Sequence, residues 1–284
     1  MSGPGRSRHS RSRRREGDLG SCASCRGPVS LPIGYHAPAR QGPAAETSAG
    51  AKDSTHLRGS RKTMITLAVS LLAPFLLGQA NSAATAEAAR LNACVEKIGK
   101  DPEDAYEDGI KWLYEGKSAP AQQCTAMALI ALGQAGEGAA RLETLANSKE
   151  GGSLEQREIY LAQAGNAWLV AGAPDAAVVT LANAIKLKPD DADLHKDRAR
   201  AFLMMEKWPD AQSELDQAMK LSPGDGETYR LRAQAKLGAG RLDEAAGDIK
   251  QARKLLPHDV PTAVMRGRIV EARRKKGLPD DPAL

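Results

Sequence analysis

The 284 residues carry 40 Lys+Arg and 35 Asp+Glu, but the excess of base is local: residues 1–84 hold 12 basic and 4 acidic side chains, and residues 85–284 hold 28 and 31. The later segment is therefore mildly acidic, which removes the usual reason to read a basic chain as a nucleic-acid binder. Aromatic residues make up only 4 %, so a core must be built from Ala, Leu and Ile on closely approaching helices.

Residues 1–60 are rich in Gly, Pro, Ser and Arg and show no period of 2 or 3.6. They read as a disordered extension, or as a translation start placed too far upstream. Cys22 and Cys25 form half of a zinc-ligand set. A tetrahedral site needs four ligands, the nearby candidates are His9, His36 and His56, and so unstructured a stretch gives no frame to assemble them, so no metal site is expected. Arg58, Arg61 and Lys62 then precede an apolar run from Met64 to Gly78, followed by small residues from Ser82 to Ala86. This order is that of a secretory signal, placed at residues 61–84, with cleavage after Ala84 or Ala86. The run is short for a membrane span and is interrupted by Pro74. The expected product is periplasmic or secreted from a bacterial cell, with no stable membrane span after cleavage; uncleaved anchoring is the alternative if the long N-terminus is genuine. Leu91-Asn92-Ala93-Cys94 resembles a lipoprotein box but lies too far beyond the apolar run.

Residues 87–150 predict divergent helical hairpins. A helix over 87–99 is followed by an N-terminus at Asp101-Pro102, where an acidic cap precedes a first-turn proline. Gly109, Trp112 and Gly116 repeat the spacing of Gly165, Trp168 and Gly172. A further pair is expected at 121–134 and 137–147, then a loop over 148–154. Export would leave Cys94 and Cys124 as the only cysteines, which predicts one bridge in an oxidising compartment. Two buried free thiols are the alternative.

From 155 to 259 the chain repeats at 34 residues. Pro189, Pro223 and Pro257 close successive units, and Ala177, Ala211 and Ala245 recur, as do Ala184, Ala218 and Ala252. Leu181, Leu215 and Ile249 form another column, and Gly172 and Gly240 share a turn position that Glu206 takes in the middle unit. Alanines let two helices approach, larger apolar residues fill the gap to the next pair, and proline ends the second helix. These columns resemble the tetratricopeptide repeat, with Lys236 standing where an aromatic is expected.

The resemblance implies an all-α, right-handed superhelical solenoid of antiparallel hairpins, with three regular units over 155–259 and a capping helix at 260–276. Residues 277–284 would be a disordered tail. It further implies a peptide-binding groove lined by Asn166, Leu169, Lys196, Arg200, Leu203, Arg230, Gln234 and Arg268. Four of these are basic, which points to a carboxylate-rich protein or peptide ligand; the full set of residues of a carboxylate clamp is absent. No catalytic triad, phosphate loop or cofactor motif accompanies them, and His195 and His258 are the only histidines after the signal. The expectation is a non-enzymatic periplasmic scaffold or adaptor without cofactor, metal or nucleic-acid partner. A self-associating module, including a homodimer, and a noncatalytic accessory subunit of an envelope enzyme are the alternatives.

Overall fold

The computed structural model describes residues 73–279, with side chains from residue 83 onward. The expected upstream extension, most of the apolar signal run and the end of the tail lie outside the described residues. Eleven α-helices are described: α1 (Ala73–Ile98), α2 (Pro102–Glu115), α3 (Ala119–Ala131), α4 (Ala135–Asn147), α5 (Leu154–Val170), α6 (Pro174–Leu187), α7 (Ala192–Met204), α8 (Trp208–Leu221), α9 (Gly226–Gly238), α10 (Leu242–Leu255) and α11 (Val260–Lys275). A 3-10 turn at Lys149–Gly151 separates α4 from α5. The result is an all-helical solenoid of repeated helix pairs in a superhelical, tetratricopeptide-like arrangement. Among the described residues no helix is long and apolar enough to cross a membrane.

The alanine columns are contact points. Ala177, Ala184, Ala211, Ala218, Ala245 and Ala252 are wholly buried, as are Leu181, Leu215 and Ile249 between them. On the facing helix the contact residues are Gly165, Ala199 and Ala233. A Cβ at Gly165 would sit 2.5 Å from Leu181 Cγ, so the first hairpin closes more tightly than an alanine there would allow.

Each hairpin turns through one left-handed residue. In the α5–α6 turn, Gly172 (φ 72°) donates its N–H to Leu169 O, and Ala173 donates to Trp168 O. The α7–α8 turn makes the same two bonds with Glu206 at φ 56°. A side chain at this angle costs about 1–2 kcal/mol, so the substitution is tolerated because packing on both sides imposes the turn.

The first helices of the last two pairs and the closing helix α11 are each capped by an aspartate. Asp191, Asp225 and Asp259 precede α7, α9 and α11, and their carboxylates accept from the backbone N–H of Asp193, Glu227 and Thr262 at 2.9, 3.1 and 2.8 Å. Helix α5 begins instead with a Ser153–Gln156 capping box.

The front of the molecule differs from this pattern. Helix α1 begins at Ala73 rather than near residue 87. Gly116 is extended (φ 179°) and leads into a Ser118 cap of α3, so it is not the tight turn that its spacing from Trp112 suggests. The likeness to Trp168 holds at the indoles. Trp112 Nε1 donates to Glu87 at 3.3 Å and Trp168 Nε1 to Glu143 at 3.1 Å, each to a carboxylate 25 residues upstream. Cys94 on α1 and Cys124 on α3 are joined by a disulfide, with Cα atoms 6.1 Å apart. It lies in a cluster with Ile98, Ala105, Trp112, Met127 and Ala128.

Candidate functional site

First helices lie closer to one another than second helices do: α5 packs on α7, α7 on α9 and α9 on α11, without comparable contact among α6, α8 and α10. A stack in which one helix set is crowded curves toward that set, so α5, α7, α9 and α11 line the inner face. Asn166, Arg200, Gln234 and Arg268 occupy the same position of successive repeats on these four helices.

The basic residues on this face have partners. Lys196 Nζ lies 2.7 Å from Asp193 and 2.8 Å from the Asp225 cap. Arg200 pairs with Asp197 and, at 3.0 Å, with Glu227. Arg230 donates to Glu227 at 2.7 Å and faces the Asp259 cap at 3.8 Å. Lys196–Asp225 and Arg230–Asp259 are the same pair one repeat apart: a base on one first helix reaches the N-cap of the next. The first unit has Ala162 where this base stands, and Asp191 pairs with Lys188 at 2.7 Å instead.

These contacts set the local electrostatics. Burial alone would lower the Lys196 pKa, but hydrogen bonds to Asp193 and Asp225 carry it above the ordinary value. Asp225 shows the counterpart, with burial overcome by Lys196 and Thr228 so that its pKa falls. Asp197 behaves oppositely. It is 8 % exposed, and desolvation raises its pKa despite Arg200 and the amide of Asn166, whose Nδ2 donates at 2.7 Å.

The structure treats the predicted groove residues unequally. Asn166 and Arg268 are exposed, Leu169 and Gln234 are half-buried, and Arg268 pairs with no described residue. Leu203 is a correction: it is 6 % exposed and belongs to the core cluster with Ala199, Leu215 and Leu231, so it lines no open surface. Its apolar side chain turns toward the α8–α9 contact, while the neighbouring Met204 is exposed. The five carboxylates Asp193, Asp197, Asp225, Glu227 and Asp259 outnumber the bases they surround, so this face is not the positive patch that Lys196, Arg200 and Arg230 alone suggest.

A second polar set lies inside the hairpins. Arg198 pairs with Glu214, which also bonds His195 Nδ1 at 2.8 Å. One repeat later Arg232 holds Asp248 through two bonds of 2.8 Å, joined by Lys236 at 2.7 Å. Glu214 and Asp248 are buried, and Lys236, placed where an aromatic is expected, is consumed by this pair. Among the described residues no group of His, Cys, Asp and Glu is arranged to hold a metal ion.

A family model described as tetratricopeptide repeat matches residues 169–237. The fold is that of a tetratricopeptide-repeat solenoid. The chain is similar to the TPR domain of Arabidopsis OM64, at 27% identity over 44% of this chain and 99% of that one, with a TM-score of 0.41. A crystal structure of MamA protein shares 19% identity over 69% of this chain and 98% of that one, with a TM-score of 0.50. The second TPR domain of human RPAP3, in complex with an HSP70 peptide, shares 23% identity over 41% of this chain and 98% of that one, with a TM-score of 0.39. Among curated proteins none matches this chain. Tetratricopeptide repeats serve generically as protein–peptide interaction modules.

Proposed function

We propose that the inner face of α5, α7, α9 and α11 docks an extended segment of a partner protein, and that the chain acts as a scaffold or adaptor in the bacterial periplasm. The observation that carries this is the column Asn166, Arg200, Gln234 and Arg268: four hydrogen-bonding side chains at one repeat position, on helices that lie side by side. An extended peptide presents donors and acceptors at regular intervals, which such a column can meet. Leu169, exposed Val170 and exposed Met204 add apolar surface at the α5–α7 end of the same face.

The ion pairs favour one refinement of the partner. Lys196 and Arg230 tie neighbouring repeats together, so a carboxylate-rich ligand would have to displace the N-cap aspartates from them. A segment offering backbone amides and apolar side chains meets Asn166, Gln234 and Val170 without breaking any pair. Among the described residues Arg268, unlike Lys196, Arg200 and Arg230, is left to meet a carboxylate.

The test is a peptide array probed with the whole chain and with the Asn166→Ala/Gln234→Ala/Arg268→Ala variant. Each lost bond is worth about 0.5–1.5 kcal/mol, or more at the charged position, so captured peptides should bind the variant at least about tenfold more weakly. Asn166→Ala also removes the bond to buried Asp197, so the unfolding temperature should fall modestly and capture is compared well below the variant's transition. Equal capture by both proteins would refute the inner-face reading. Preference for acidic peptides would favour the carboxylate ligand over the neutral one.

A further inference from the structure

Helix α11 opens a repeat that the described residues do not finish. Thr262, Met265, Ile269 and Arg273 are buried along one side of it, and it packs chiefly on α9 and α10 of the preceding pair. In α5, α7 and α9 the other side is covered by the unit's own second helix. Ala199 and Ala233 are wholly buried there, and a Cβ at Gly165 would meet Leu181. Gly267 holds that column in α11, yet a Cβ on it would have nothing within 4 Å. Gly226, the counterpart of Val260, lies against Leu255 and Leu256 at the end of α10, whereas Val260 is 70 % exposed. Ala263 and Val264 are exposed beside it. These four residues share the face opposite the buried side, and the Glu271–Arg274 pair closes its far end.

The completed pairs show what fits such a face. The second helices bury Ala177, Leu181 and Ala184, then Ala211, Leu215 and Ala218, then Ala245, Ile249 and Ala252. The residue before the Leu or Ile follows the first helix. Where the first helix has Ala164, the second has Thr180; where it has Arg198 and Arg232, the second supplies their ion-pair partners Glu214 and Asp248. Arg266 continues the arginine column, so the matching helix carries a carboxylate. Among the described residues the helices with this full set, α8 and α10, are already paired with α7 and α9. A second copy of α11 would bring Arg266 and Arg274 against their own counterparts, which like charge disfavours. The chemistry therefore selects a helix from a different protein.

We propose that α11 is the receiving half of an incomplete hairpin and takes an amphipathic helix from another protein. That helix presents alanine, then leucine or isoleucine, then alanine at positions i, i+4 and i+7, with a carboxylate at i+3. It lies antiparallel to α11, as α10 does to α9. Its small residues meet Gly267 and Ala263, its carboxylate meets Arg266, and the residues at its C-terminal end cover Val260. Burial of the valines supplies the driving force, and the charge pair fixes the register. The surface is distinct from the inner-face column, which it approaches only where Arg268 follows Gly267.

The probe is a labelled synthetic peptide copying residues 207–223, which hold α8 and its flanks, titrated onto the whole chain by fluorescence anisotropy. Saturable binding is expected, with hydrogen-exchange protection centred on α11. Gly267→Leu fills the point of approach and should weaken binding at least about tenfold. Its thermal unfolding should not fall, because the added side chain enters open space. Arg266→Glu should also weaken binding, and a peptide carrying Glu214→Arg should recover it, which a misfolded variant would not allow. Absence of saturable binding, equal binding by Gly267→Leu, or protection on α5, α7 and α9 alone would overturn the assignment. So would binding that appears only after residues 280–284 are deleted, since that segment would then be the occupant. Asn166→Ala with Gln234→Ala should leave probe binding unchanged, so this site and the inner-face reading fail separately.

Discussion

The two ends of the solenoid are held by different means. Between α7 and α11 the same polar ties recur at the repeat interval: a base reaching the next N-cap, as in Lys196–Asp225 and Arg230–Asp259, and a buried arginine–carboxylate pair inside each hairpin, as in Arg198–Glu214 and Arg232–Asp248. Among the described residues neither tie is found between α1 and α3. Lys97 with Asp104 and Asp108, and Arg90 with Glu115, are exposed pairs of the kind worth little. A covalent bridge and two tryptophan contacts stand in for them. A regular register lets one solution be copied from unit to unit, whereas a divergent end needs its own fastening.

Removing one copied tie should have the largest effect. Arg232→Met strips the bidentate partner from buried Asp248 and leaves it only Lys236; breaking a buried pair costs about 3–5 kcal/mol, and denaturant unfolding should show a loss near the lower bound. Removing the bridge comes next. Cys94→Ser with Cys124→Ser opens a 30-residue separation and should cost about 2–4 kcal/mol. Hydrogen exchange should rise in α1 and α2 while α7 to α11 stay protected. Equal loosening of both ends would contradict the division.

Acid should separate the two ends in the opposite sense. Hydrogen bonding to Thr262, backed by the nearby Arg230 charge, keeps the Asp259 carboxyl below its usual range, and Lys196 does the same for Asp225. Carboxyls depressed in the folded state contribute stability above the unfolded value near 4, and lose it as the pH falls through their folded values. The array should therefore loosen below about pH 4 while the bridged front, read by exchange of α1, persists longer. Asp197 works against this trend, since its raised pKa favours the folded state on protonation. The smallest effect is a gain: nothing lies within 4 Å of a Cβ at Gly267 in α11, so Gly267→Ala should stabilise by about 0.5–1 kcal/mol.

The architecture of the array was legible because close packing needs alanine and leucine at fixed intervals, and such columns survive in a single chain. Even the inter-repeat tie leaves a trace: Lys196 and Arg230, like Asp225 and Asp259, stand 34 residues apart. Reading the bases without the caps made the inner face look positive. Leu203 was misplaced because repeat position alone does not say how far a helix rotates into its neighbour. The front was harder to read. Gly116 has the spacing of a tight turn, yet Ser118 and Pro120 start the next helix by an extended connection. Glu206 shows the reverse, a turn formed without glycine.

Hydrogen exchange of the whole chain with and without its captured peptide tests the docking surface most directly. Protection should appear on α5, α7, α9 and α11 and be absent from α6, α8 and α10. Protection confined to the outer helices, or to α1 and the outer side of α11 at increasing protein concentration, would contradict inner-face docking and point to self-association through the ends of the array.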